Sequence, residues 1–283
     1  MIVWCDTGRK AAAMAGGGGD QMCGRYTLVA NPADLMLDFS LIRAEWFPPR
    51  YNIAPTQPIH IVRAEKGMRE LALARWGLIP SWTRSVVDLP LFFNARAETA
   101  PDKPAFRGPF RQRRCLIPAT GFYEWAKKPG GRGQPYLIAA PSRRLLAFAG
   151  LWDEYADDKG NLIDSATILT MAANGDLAPI HDRMPVIIDP RDYDRWLGLD
   201  PVERRELEAL MAPAPDGFFQ MTPVDPRVNT ARHDDAALLE RVDERPREGP
   251  PRRRSQPRTA APLERATADE QGSAPEPAQL TLL

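Results

Sequence analysis

Cys23 directly follows Met22 and opens the run Gly24-Arg25-Tyr26-Thr27, which continues as a strand-like stretch through Val29. Were Cys23 to become the N-terminus, one residue would carry both a free α-amine and a thiol. An α-amine, with a reference pKa of about 7.7–8.0, is partly neutral at cellular pH and hence nucleophilic. It can form an imine with an aldehyde, and the adjacent sulfur can then close onto the imine carbon as a five-membered ring. An internal cysteine lacks the amine, and a lone cysteine is otherwise a buried, inert thiol. Glu124 stands among Phe122, Tyr123 and Trp125. Desolvation there would raise its pKa and suit it to acid or base work near neutrality, although strand alternation equally allows it to face water. Of the three histidines, His60 lies in an alternating strand and His233 in a charged stretch. His181-Asp182-Arg183 falls in a loop, where catalytic side chains tend to sit.

The elements that must hold these groups are mostly strands. Arg25 to Val29 reads as a strand, and Asn31-Pro32 starts a helix whose inner face is Leu35, Met36 and Phe39. The Pro- and aromatic-rich run Trp46 to Thr56 reads as an ordered extended loop. Ile59 to Arg63 and Glu70 to Trp76 alternate as a hairpin around Lys66-Gly67. Arg113 to Trp125 reads as a buried strand, a glycine-assisted bend and the segment carrying Glu124. Tyr136 to Ala139, Leu145 to Trp152, Thr167 to Ala172, Val186 to Ile188 and Phe218 to Thr222 are further strands. Asp189-Pro190 and Asp200-Pro201 each cap a helix. Aromatics interleaved with arginine between Arg75 and Glu98 can stack bases and hold phosphates, or can be core.

Composition sets outer limits. The chain has 283 residues, a formal net charge of zero and an ordinary apolar share of 43%. No global basic field marks it for nucleic acid, but a balanced total can hide a local basic groove. Three widely spaced cysteines without a C-x-x-C pair, and only three histidines, suggest neither a disulfide framework nor a zinc site. A reducing, cytosolic compartment is expected, with no metal or organic cofactor. No apolar run is long enough to span a bilayer.

The two ends differ from the middle. Residues 1–21 pass through Ala11-Ala12-Ala13 into Gly16-Gly17-Gly18-Gly19 without helical or strand period. Four GG-initiated codons just upstream of a methionine codon resemble a ribosome-binding sequence. Synthesis is therefore expected to start at Met22, leaving 1–21 as a non-native or disordered leader; the competing reading is a flexible Gly-rich leader. Residues 240–283 hold seven prolines and no aromatic residue, a composition that cannot bury a core. The final Gln279-Leu280-Thr281-Leu282-Leu283 turns apolar again and resembles the short peptide with which bacterial replication and repair proteins dock on the sliding clamp.

In order, Met22-Cys23-Gly24-Arg25, Asn52-Ile53-Ala54-Pro55-Thr56, Arg75 to Trp82, Asn94-Ala95-Arg96-Ala97-Glu98-Thr99, Arg114 to Pro118 with Gly121 to Trp125, and His181 to Pro185 resemble the SOS-response-associated peptidase (SRAP) family. The resemblance runs from Met22 to His233, within a domain expected over residues 22–239. It implies an α+β fold, a mostly antiparallel, barrel-like β-sheet flanked by short helices. It also implies an abasic-site sensor that crosslinks its N-terminal cysteine to abasic sites in single-stranded DNA, with self-removal of the preceding residue and a lyase-like side of the chemistry. Carried over, Cys23 would be the nucleophile, with Asn94, Glu124 and His181 completing the site. Arg96 and Arg183 would hold phosphates, and Asn52, Pro55, Trp76 and Trp82 would face the strand. The expected partners are abasic single-stranded DNA and, through Gln279–Leu283, the sliding clamp. The protein would act as a monomer in the cytoplasm, at the nucleoid or replication fork. Two rivals use the same residues. One is a thiol peptidase built on Cys23, His181 and Asn94 and acting on peptides; the other is a non-catalytic DNA- and clamp-binding module in which Cys23 is structural.

Overall fold

Hydrophobic alternation and turn chemistry place twelve strands among the described residues. The computed structural model describes residues 23–128 and 131–243, without the side chains of 127, 128, 131 and 132. The expected leader, Met22 and the tail with Gln279–Leu283 lie outside the described residues. All described residues belong to one unit, Met1–Arg245.

β1 (Tyr26–Leu28) leads into α1 (Pro32–Phe39). Asn31 accepts from the Asp34 amide at 2.9 Å, and Asp34 accepts from the Asn31 amide at 3.2 Å, a reciprocal cap that starts the helix where the sequence predicts. Leu35 and Phe39 are buried and Met36 is half-buried. β2 (Arg50–Ile53) follows, then the hairpin β3 (Pro58–Glu65) and β4 (Met68–Trp76). Lys66 and Gly67 both have positive φ, +51° and +77°, as a two-residue hairpin turn needs. After β5 (Asn94–Arg96) and α2 (Arg107–Gln112) come β6 (Arg114–Ala119), β7 (Gly121–Lys128), β8 (Gly131–Ala139), β9 (Leu146–Ala156), β10 (Leu162–Ala172) and β11 (Arg183–Pro185). α3 (Tyr193–Leu197), α4 (Arg204–Leu210) and β12 (Gln220–Pro223) complete the order.

Two sheets form. One runs β12-β8-β7-β1-β2. In the other, β10-β4-β3-β6-β9 closes on itself because β9 also pairs with β10 from Leu162↔Ala156 to Ile168↔Gly150. This closed ring, antiparallel except where β10 runs parallel to β4 and β5, is the expected barrel-like α+β architecture. The chain passes from the barrel to the open sheet at Thr120, between β6 and β7. There Gly121 lets β7 lie close to β8, since a Cβ would stand 2.8 Å from the Ile138 carbonyl. Between the sheets, Tyr26 packs edge-on against Trp76 and Phe148, and Phe122 against Phe148.

Three local expectations change. Val186 to Ile188 is not a strand but a passing segment with one bridge, Phe148↔Ile187. The second predicted helix starts at Arg204, because Glu203 and Glu206 form the capping pair instead of Asp200. The run Trp46 to Thr56 is not all loop, because Arg50–Ile53 pairs with β1 as a strand.

Candidate functional site

Glu124 is decided by the two-sided burial of β7. Tyr123 and Trp125 face a small cluster with Val224, Val228 and Leu238, whereas Phe122 belongs to the main core. Glu124 shares the Phe122 face and is only 1% exposed. The antiparallel register of β1 on β7, with Tyr26 opposite Phe122, brings the residues before β1 alongside Glu124. The Cys23 backbone N–H donates to Glu124 Oε1 at 2.7 Å. Cys23 is 2% exposed and has φ of +33°, in the left-handed region that a non-glycine residue occupies at a cost.

The two groups perturb each other. Burial raises the Glu124 pKa; the nearby His181 and the hydrogen bonds from Cys23 pull the other way, and Asp182 adds to the rise. The Cys23 thiol is raised well above its ordinary range, first by burial, then by the charge of Glu124 and a hydrogen bond to it, with Arg183 opposing. Both groups thus favour their protonated forms while sharing one hydrogen bond.

β10 assembles the other side of the site. Its carboxyl end pairs in parallel with β5, Thr170 opposite Arg96, and antiparallel with β11, Ala172 opposite Arg183. Asn94 and Arg183 are therefore carried on opposite flanks of one strand. His181, buried, precedes β11, and the Arg183 amide donates to its Nδ1 at 3.1 Å. Nδ1 also lies 3.4 Å from the Arg183 carbonyl and 3.3 Å from Asp182 Oδ1, so it faces a donor and two acceptors at once. Arg183 donates from Nη1 and Nη2 to the two oxygens of Glu98 at 2.6 and 2.8 Å, and from Nη2 to the Thr170 carbonyl at 2.6 Å. Arg183, and secondarily Arg96, holds the Glu98 carboxyl below the usual range. Burial and Arg50 draw the pKa of His60 down to about 4, and its ring packs against Phe47.

The residues expected to face a strand do not share one environment. Arg96 is exposed and Pro55 is half-buried. Trp82 is 62% exposed. Two expectations are corrected. Trp76 is fully buried and donates from Nε1 to the Phe93 carbonyl at 2.8 Å, so it is core. Asn52 is also fully buried; its Nδ2 donates to the carbonyls of Val228, Thr230 and His233, and its Oδ1 accepts from Arg25. It binds the segment after β12 to β2, aided by Asp234, which accepts from the Asn52 amide and Arg50. Neither side chain has surface to offer a base. Glu98, marked in the sequence only as an acid two positions beyond Arg96, is the carboxylate that holds Arg183. Among the described residues no cluster of His, Cys, Asp and Glu could hold a metal ion, and no helix is long and apolar enough to cross a membrane.

Residues 22–231 match the family described as SOS response associated peptidase (SRAP). The chain belongs to this family. The SRAP relatives include "Abasic site processing protein YoqW" of Bacillus subtilis, 34% identical over 222 residues that span 77% of this chain and 99% of that protein. "Abasic site processing protein HMCES" of Gallus gallus is 33% identical over 230 residues, 70% of this chain and 68% of its own. A crystal structure of a Bordetella bronchiseptica protein superposes with a TM-score of 0.61 at 27% identity, covering 72% of this chain and 100% of that one. One from Bacteroides thetaiotaomicron, at 23% identity, shares the fold with a TM-score of 0.67, covering 78% of this chain and 100% of that one.

Proposed function

We propose that the protein processes abasic sites in single-stranded DNA by joining its Cys23, once freed of the residues before it, to the ring-opened sugar. The observation that carries this reading is the Cys23 nitrogen held 2.7 Å from a buried carboxyl whose pKa is raised. The freed amine adds to the C1 aldehyde to give a carbinolamine. Glu124, in its acid form, protonates the hydroxyl, which leaves as water and gives an iminium. The Cys23 sulfur then adds to that carbon, and its proton passes to the Glu124 carboxylate along the hydrogen bond they share. Glu124 returns to its acid form, and the product is a thiazolidine. Raised pKa values on both groups suit this cycle, which needs a thiol that surrenders its proton only as the C–S bond forms. His181 is the proton donor for the sugar oxygen as its ring opens, Asn94 orients the terminal residue, and Arg96 and Arg183 neutralise flanking phosphates.

Removal of Met22 by the same site is part of this reading. Water adds to the Met22 carbonyl, the C–N bond to Cys23 breaks, and Glu124 in its acid form gives the departing nitrogen a proton and takes one back from the water. The left-handed φ of Cys23 is strain that this cleavage releases. In the same reading residues 1–21 are not needed, and Gln279–Leu283 dock on the sliding clamp. Deleting those five residues should weaken clamp binding and leave crosslinking to naked oligonucleotides unchanged.

Intact mass of the purified protein, alone and after incubation with a single-stranded oligonucleotide bearing one abasic site, tests the chemistry. A chain beginning at Cys23 that gains the oligonucleotide mass less one water is the expected result, with no stable adduct from Cys23→Ala, whose amine can form only a hydrolysable imine. A chain beginning at Cys23 without adduct would overturn the reading in favour of a peptidase or a binding module.

A further inference from the structure

Trp82, Arg107 and Arg111 line one surface groove with Ser81, Pro104 and Asp153, and none of Cys23, Glu124 and His181 is among its lining residues. Arg107 and Arg111 stand one turn apart on the same face of α2 and are both exposed. Asp153, the groove's carboxylate, is already engaged: it pairs with Arg113 and accepts from the Ser81 amide at 2.8 Å. Arg107 and Arg111 have no ion-pair partner among the described residues, so the groove keeps uncompensated positive charge beside an exposed indole. Single-stranded nucleic acid is recognised by this combination of stacking face and backbone cations.

The groove is tied to the site by a short path. Leu78 bridges Phe92, and the Leu78 amide donates to the Phe92 carbonyl at 3.0 Å, which anchors the loop carrying Trp82 two residues before Asn94. The Phe92 ring meets the Phe106 ring edge-on at 5.4 Å, and Phe106 immediately precedes Arg107. Three residue steps of chain, the 5.4 Å ring contact and the lengths of the two Phe side chains place the groove within about 25 Å of Asn94. That is a distance of a few nucleotides.

We propose that this groove is a second contact for the single strand, holding DNA a few nucleotides from the lesion while the buried site does the chemistry. The proposal rests on the abasic-site reading, and it assigns Arg107 and Arg111 to the backbone and Trp82 to a base. The test uses the full chain, a long oligonucleotide with and without one abasic site, and an abasic trinucleotide too short to reach from the site to the groove. Trp82→Ala should weaken binding of the unmodified long oligonucleotide about tenfold. Arg107→Ala with Arg111→Ala should flatten the slope of log affinity against log salt by roughly 1.4, two phosphates at about 0.7 each. The double variant should crosslink the long abasic oligonucleotide more slowly at subsaturating protein, yet match the parent on the trinucleotide. Unchanged long-oligonucleotide affinity and salt slope in both variants would overturn the proposal, as would an equal loss of rate on the trinucleotide. If the parent forms no adduct with either substrate the abasic-site reading fails, while binding of the unmodified oligonucleotide still tests the groove.

Discussion

Glu124→Gln separates chemistry from stability. The amide keeps the acceptor that receives the Cys23 N–H at 2.7 Å and nearly the same volume, but it cannot exchange a proton. General acid–base contributions of about 10²–10⁴ should therefore vanish from the crosslinking rate. Stability should move the other way. Because burial raises the folded pKa of Glu124 above its unfolded value, the folded state binds the proton more tightly, and wild-type stability falls as pH climbs through the interval between the two. Glutamine removes that loss. Its advantage should be absent below the unfolded carboxyl value of about 4.3 and grow above it. A relief of about 1 kcal/mol, the low end for an ill-solvated buried polar group, corresponds to a rise in Tm of roughly 2–4 °C for a domain of this size. Scanning calorimetry of both proteins at acidic and mildly alkaline pH, paired with single-turnover crosslinking, measures the two effects. A variant that is less stable at every pH, or that crosslinks at the parental rate, would refute this reasoning.

Asn52→Ala strips the donor from three carbonyls and the acceptor from Arg25, and should cost about 3 kcal/mol in urea unfolding, in keeping with unsatisfied buried groups at 1–3 kcal/mol each. Trp76→Ala should cost about 3–5 kcal/mol as a core deletion, whereas Trp82→Ala should stay within about 0.5 kcal/mol in the same assay because the side chain is exposed. Glu98→Ala releases the Arg183 guanidinium from two hydrogen bonds. Crosslinking should slow about tenfold, a loss of one oriented charged contact, with partial recovery in Glu98→Asp and a stability change under about 1 kcal/mol; an unchanged rate would show that Glu98 does not orient Arg183.

Local chemistry was legible in the sequence wherever it depends on neighbours in the chain. The Asn31–Asp34 cap, the Lys66-Gly67 turn and the alternation of β3 and β4 follow from propensity and period, and the ordered motifs from Met22 to Pro185 pointed to the family. A chain read alone gives an aromatic or an amide no address, however. Trp76 and Trp82 lie six residues apart in one motif, yet one fills the space between two sheets and the other stands in solvent. Asn52 looked like a surface amide because its partners, Val228 to His233, are about 180 residues away. Strand alternation leaves Glu124 balanced between water and core, and the burial of β7 on both faces decides it. The residue types needed for aldehyde chemistry are therefore written in the sequence, but the desolvation that raises their pKa values belongs to the packing of the barrel against the open sheet. Burial is a property of what surrounds a residue in space, and only the tertiary structure supplies it.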